Sequence, residues 1–169
     1  MLGAGGLAAC TLTALGLWCG LSGRRLYYNV SMSLPPGWYV CQKLRAGTVL
    51  QRGDLVQLTP PAWVSDELHR IAPHQGVTQF WMKQLAARAH DTVCLAGDTV
   101  VINGTVVGQR VLLKTYPLPA LEGCVTLGQD EVFVLGRHAK SFDSRYTGAW
   151  GVQAIEGTCT PLWTWEEGT

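Results

Sequence analysis

From Met1 to Leu21 the chain carries no charged side chain, and about twenty consecutive apolar or small residues are enough for a helix to cross a bilayer. The rest of the chain, about 145 residues, has room for one compact domain with its own core. Secretory leaders carry positive charge ahead of their apolar stretch, whereas here Arg24 and Arg25 follow it, which favours a retained anchor over residues 1–23 rather than a cleaved leader. The same arginines would by themselves hold the domain in the cytoplasm, but that tendency weakens for long translocated domains.

Thirteen basic side chains stand against twelve acidic ones, so charge gives no argument for a nucleic-acid partner. Of the six cysteines, Cys10 and Cys19 fall in the apolar segment, and Cys41, Cys94, Cys124 and Cys159 fall in the domain. Their even number fits a Cys94–Cys124 disulfide in an oxidising periplasm, with Cys124 expected in a turn. Buried reduced thiols are the alternative, and a Cys41–Cys159 pairing is left open. No CxxC pair and no His/Cys ligand spacing occurs, so neither a metal nor a cofactor is expected.

Past the anchor the chain reads as short β-prone runs broken by Gly and Pro. These are Gly37 to Val40, Val49 to Leu50, Leu55 to Leu58, Val93 to Leu95, Thr99 to Ile102, Glu131 to Gly136 and Tyr146 to Val152. Asn103-Gly104 between two β-branched runs predicts a type I′ hairpin. One helix is expected from about Pro61 to Ile71, capped by Ser65, with Asp66 and Glu67 in its first turn. Trp163 and Trp165 near the end predict a strand buried on one side, or a contact with the membrane interface. The fold class is therefore mainly β, with the transmembrane helix and one or two short helices.

Pro35 and Pro36 stiffen the segment Asn29-Val30-Ser31-Met32-Ser33-Leu34-Pro35-Pro36-Gly37-Trp38-Tyr39, so Ser31 and Ser33 sit on a rigid backbone just beyond the apolar stretch. A serine becomes a nucleophile when a neighbouring base takes its proton. Lys83, one of four lysines, lies between Phe80-Trp81-Met82 and Leu85-Ala86-Ala87, where desolvation would lower its pKa. The alternative for such a lysine is a packed stem with the amine in water. His69, His74, His90 and His138 allow a Ser-His-Asp arrangement in which His138 or His90 is base and Asp143 orients it, but no Gly-x-Ser-x-Gly elbow surrounds either serine.

Ser33-Leu34-Pro35-Pro36, then Lys83, then Ser141-Phe142-Asp143-Ser144-Arg145-Tyr146-Thr147-Gly148 follow the order and approximate spacing found in signal peptidase I enzymes, which the chain resembles. Asn29, Ser31, Ser33, Pro35, Gly37 and Tyr39 also match the pattern of the TraF-type peptidases of conjugative plasmid transfer. The resemblance implies a signal-peptidase-like antiparallel β-sheet domain over residues 24–169, placed in the periplasm and held to the bacterial inner membrane by a single pass. It implies a Ser-Lys serine peptidase with Ser33 as nucleophile and Lys83 as base. Ser31 and the Ser33 backbone N–H would form the oxyanion hole, Ser141 would orient the lysine, and Asp143 with Arg145 would support the segment. In TraF-type enzymes the aspartate also counts as catalytically important. The implied partners are a pilin precursor, trimmed or cyclised for a type IV secretion apparatus, and membrane lipid around the helix. A general leader peptidase and a non-catalytic subunit keeping the fold are the rival readings. Ala89-His90-Asp91 stands where the family usually has Pro-Gly-Asp, which puts a side chain where the backbone needs positive φ. Thr147 and Gly136-Arg137-His138 depart from the leader peptidases more than from the TraF type.

Overall fold

A computed structural model of the chain describes residues 20, 22–71, 80–111 and 123–165. The anchor expected over residues 1–23 lies almost wholly outside them, and among the described residues no helix is long and apolar enough to cross a membrane.

Eleven strands form two antiparallel sheets among the described residues. The larger contains β1 (Arg24–Asn29), β2 (Gly37–Lys43), β3 (Leu55–Leu58), β4 (Trp81–Ala87), β9 (Glu131–Leu135), β10 (Trp150–Gly151) and β11 (Ile155–Thr164), in the order β1-β2-β11-β3-β4-β9-β10. The smaller contains β5 (Thr92–Ala96), β6 (Thr99–Ile102), β7 (Thr105–Gln109) and β8 (Gly123–Thr126), in the order β7-β6-β5-β8. Two helices accompany them, α1 (Ala62–Ile71) and the single turn α2 (Ser144–Thr147).

Strand β9 joins the two halves because it is buried on both faces. Val132 and Val134 enter one apolar cluster with Val56, Leu58, Trp81, Leu85 and Trp150. Phe133 and Leu135 point the other way, into a second cluster with Val93, Leu95, Val100 and Ile102. The β4–β9 register shifts between Leu85 and Ala87, and Ala87 correspondingly belongs to the second cluster while Leu85 belongs to the first.

The β6–β7 hairpin turns through Asn103 (φ 50°) and Gly104 (φ 81°), the paired positive angles of a type I′ turn. His90 adopts φ 70° where the family's glycine is replaced. Two disulfides join directly opposed residues of neighbouring strands. Cys94–Cys124 ties β5 to β8, and Cys41–Cys159 ties β2 to β11.

Several local expectations are corrected. Cys124 lies in a strand rather than a turn, because β8 pairs along β5. Val49 and Leu50 form no strand: Thr48 closes a turn onto Arg45, leaving Val49 exposed while Leu50 packs on the core. Helix α1 starts ahead of Ser65, whose N–H donates to the Pro61 carbonyl, so Ser65 is not its cap and no acidic residue falls in its first turn. Tyr146–Val152 is not one strand. Asp143 caps α2, Phe142 and Tyr146 stack at 6.1 Å, and extended structure resumes only at Trp150. Trp163 and Trp165 stay out of the core. A register shift between Pro161 and Trp163 accompanies their exposure; the two pack on one another, and Trp165 also packs on Tyr28.

Gly37 opens β2 four residues after Ser33 with φ 146°, and a Cβ there would lie 2.3 Å from the Trp163 carbonyl oxygen of β11. Backbone on both sides of the contact leaves nothing cheap to move, so Gly37→Ala is expected to destabilise the domain by about 2 kcal/mol or more. Chemical denaturation measures this, and an unchanged midpoint would contradict it.

Candidate active site

Ser33 sits in the loop that joins β1 to β2, where the hairpin's last pair is Asn29 opposite Gly37. Three contacts hold the loop's downstream half: Leu34 is buried, the Tyr39 hydroxyl donates to the Pro35 carbonyl at 2.7 Å, and the Arg137 N–H donates to the Ser33 carbonyl at 2.7 Å. A proline pair with fixed φ and a buried tyrosine thus make the Ser33 backbone part of the sheet's edge.

Lys83 lies in the middle of β4, paired with Val56 of β3. Alternation puts it on the same face as Trp81 and Leu85, which are core residues, so its side chain points inward and is only 4% exposed. Its amine lies 2.6 Å from the Ser33 hydroxyl and 2.8 Å from the Ser141 hydroxyl, and the two hydroxyls are 3.0 Å apart. Burial lowers the Lys83 pKa to about 8, with Asp143 pulling it up and Arg145 pushing it down. The snorkelling alternative is not what the side chain does.

Ser141 reaches this triangle because Gly136 has no side chain. A Cβ at Gly136 would stand 2.1 Å from the Ser141 Oγ and 3.1 Å from the Ser33 Cα. Below it, Asp143 and Arg145 form a buried ion pair at 2.8 Å. Asp143 also accepts from the Gly136 N–H at 2.7 Å, and Arg145 spends its remaining donors on the carbonyls of Gln109, His138 and Gly136. Their charges are satisfied by each other and by backbone, as buried charges must be. Asp143 is bonded to Gly136 and Arg145 rather than to Ser33 or Lys83. It holds the strand end that carries Gly136.

The Ser31 hydroxyl donates to the Asn29 Oδ1 at 2.8 Å, so in this conformation its proton is engaged away from Ser33. Among the histidines, His90 is bonded to Gln129 and His138 accepts from the Lys140 N–H, while His69 ends α1. His74 lies outside the described residues. The structure thus brings Ser33, Lys83 and Ser141 together from positions 50 and 58 residues apart. Asn29, Gly136 and Arg137 entered the sequence reading only as motif positions, with no role in the site assigned to them.

A folded-state lysine pKa lowered from 10.5 to about 8 means that the protonated amine opposes folding. At neutral pH this amounts to about 3 kcal/mol at most, and it is relieved as pH rises from about 8 to 10.5. Lys83→Met, which keeps the length and removes the charge, is expected to raise the thermal midpoint at pH 7 and to lose that advantage at pH 10. A midpoint lowered at pH 7 would contradict it.

Comparison with known proteins gives the chain's family. The family model described as signal peptidase, peptidase S26, matches residues 6–164. A plasmid transfer protein TraF of Escherichia coli is 30% identical over 172 residues, spanning 95% of this chain and 92% of its own. A conjugal transfer protein TraF of Agrobacterium fabrum is 30% identical over 176 residues, spanning 98% and 94%. A solved signal peptidase I from Enterococcus faecalis overlaps at a TM-score of 0.39 and 23% identity, covering 66% of this chain and 97% of that one, a likeness too loose to build on. By the extent of the family match and the near-complete overlap with these relatives, the chain belongs to the S26 family of signal peptidases.

Proposed function

We propose that the chain is a membrane-anchored serine endopeptidase that processes a pilin precursor for conjugative transfer, with residues 1–23 as anchor and residues 24–169 on the periplasmic side of a bacterial inner membrane. The observation that carries the chemistry is the 2.6 Å contact between a buried, pKa-lowered lysine amine and the Ser33 hydroxyl. Two disulfides favour an oxidising compartment. The names of the two relatives, plasmid transfer and conjugal transfer protein, support the biological setting.

Neutral Lys83 takes the proton of Ser33 as its Oγ attacks the scissile carbonyl. Charge develops on the carbonyl oxygen, and the Ser33 N–H with the Ser31 hydroxyl, turned from Asn29, supplies the donors; losing one such donor typically costs about 3 kcal/mol of transition-state stabilisation. Protonated Lys83 then hands its proton to the departing amine, leaving an acyl-enzyme on Ser33. Ser141 keeps the amine aimed throughout, because its hydroxyl touches both partners. Water resolves the acyl-enzyme to a trimmed chain, whereas the pilin's own amino terminus resolves it to a circle.

Ser33→Ala and Lys83→Ala are each expected to lower precursor processing by about 10⁴-fold or more, followed by precursor size on co-expression. Full processing by either variant would refute the assignment. With the native chain, kcat should fall about tenfold per pH unit below about 8 and level off above it, because the protonated amine cannot accept the serine proton. A profile flat between pH 6 and 9 would contradict a lysine base. The intact mass of the product separates the two fates: a circle is lighter than the trimmed linear chain by one water.

A further inference from the structure

One side chain in the loop that presents Ser33 has no part in the proton transfer, yet is the most heavily bonded group there. Asn29 is the last residue of β1 and is 8% exposed. Its Nδ2 donates to three carbonyls of the loop, those of Leu34 at 2.9 Å, Ser31 at 3.0 Å and Pro35 at 3.2 Å. Its Oδ1 accepts from the Ser31 N–H at 3.2 Å and from the Ser31 hydroxyl at 2.8 Å. An amide has two donor hydrogens and one acceptor oxygen, and here all of them turn into the same five-residue arc. The carbonyls it holds flank Ser33 in the chain, so the arc that carries Ser33 closes around the carboxamide. The Tyr39 hydroxyl shares the Pro35 carbonyl, which links the arc to the buried face of β2.

We propose that Asn29 is a positioning residue for acyl transfer: its carboxamide is the internal template that sets the curvature of residues 31–35 and so fixes the Ser33 hydroxyl against the Lys83 amine. This rests on the serine peptidase reading and adds to it a residue that touches no reacting atom. The requirement is for donors as well as an acceptor, because three inward carbonyls face the nitrogen. Aspartate has the same shape and keeps the acceptor for Ser31, but when ionised it sets oxygen against those three carbonyls. Alanine removes both halves. The expected penalty is on alignment, since about 1 Å of misplacement in a reacting group lowers rate by about a hundredfold. Binding of an extended substrate elsewhere along the site is left intact.

The test is steady-state cleavage of the pilin precursor by the full-length chain at pH 9, where both Lys83 in the native chain and an aspartate at position 29 are deprotonated. Asn29→Asp and Asn29→Ala are compared with native and Ser33→Ala chains, with thermal midpoints measured alongside. The proposal expects both variants to lose about tenfold or more in kcat, with KM within about threefold and the midpoint within a few degrees. It also expects the rise of kcat with pH to stay centred near the native value, because the lysine itself is undisturbed. Asn29→Asp keeping more than about a third of native kcat would overturn it, as would a loss confined to KM. If Asn29→Ala does not fold, Asn29→Asp alone decides, and loss of folding in both variants overturns the proposal in favour of a purely structural role. A native chain that leaves the precursor uncut, like Ser33→Ala, takes down the peptidase reading and this proposal together. Cleavage by native and Asn29 variants alike takes down only this one.

Discussion

Lys83 is placed where the alternation of β4 would otherwise put an apolar residue, between Trp81 and Leu85 on the core face. Desolvation there disfavours the ammonium, and among the described residues the amine's hydrogen bonds go to the hydroxyls of Ser33 and Ser141. Most of what surrounds it can be understood as a consequence. A charged amine at that depth would need a carboxylate in contact, and Asp143, the carboxylate whose charge acts on it, is instead held by Arg145 and the Gly136 N–H. The pair affects the lysine at a distance with opposing signs, so burial decides the outcome. The amine is left weakly basic, within hydrogen-bond distance of the Ser33 and Ser141 hydroxyls. Stability is given up at this position in the way functional sites commonly do.

Keeping the two reacting groups in register then falls to elements distant in sequence. Ser33 hangs from the β1–β2 hairpin, Lys83 from a central strand, and Ser141 from the segment after β9. Three backbone-level devices fasten them. The Arg137 N–H grips the Ser33 carbonyl, Gly136 leaves room for Ser141, and the Asp143–Arg145 pair locks the segment between them. The Cys41–Cys159 bridge fastens β2, the strand that leaves the Ser33 loop, to β11. Arrangements of this kind preorganise a site, since its polar groups need not move when charge develops.

Parts of this were legible in the chain and parts were not. The β6–β7 hairpin was readable because Asn103-Gly104 is a local signal with one good solution, and β9 because an apolar run ending at a glycine is hard to place elsewhere. Strand β4 was invisible as a strand: its lysine on the core face breaks the two-residue alternation that would have revealed it, so the functional residue erased the structural cue. Ser33, Lys83 and Ser141 were found through the order of motif blocks, while their proximity depends on long-range pairing of β3, β4 and β9 that no local pattern encodes. The Tyr146–Val152 run was misread as one strand because its composition is β-prone, and Asp143 overrides that preference by capping a helical turn. Gly136 was visible only as a motif position and not for its role, which is the space it leaves for a side chain five residues on.

The claim at the centre of this account is that the Lys83 amine, while touching Ser33, loses its charge near pH 8, well below the ordinary lysine range. The most direct measurement is an NMR titration of the Lys83 side chain in the folded, full-length chain, following its Cε or Nζ resonance with pH. A midpoint near 8 is predicted from its burial. A midpoint close to the ordinary lysine value of 10.5 would contradict the account, because the amine would then be protonated throughout the range in which it is required to act as a base.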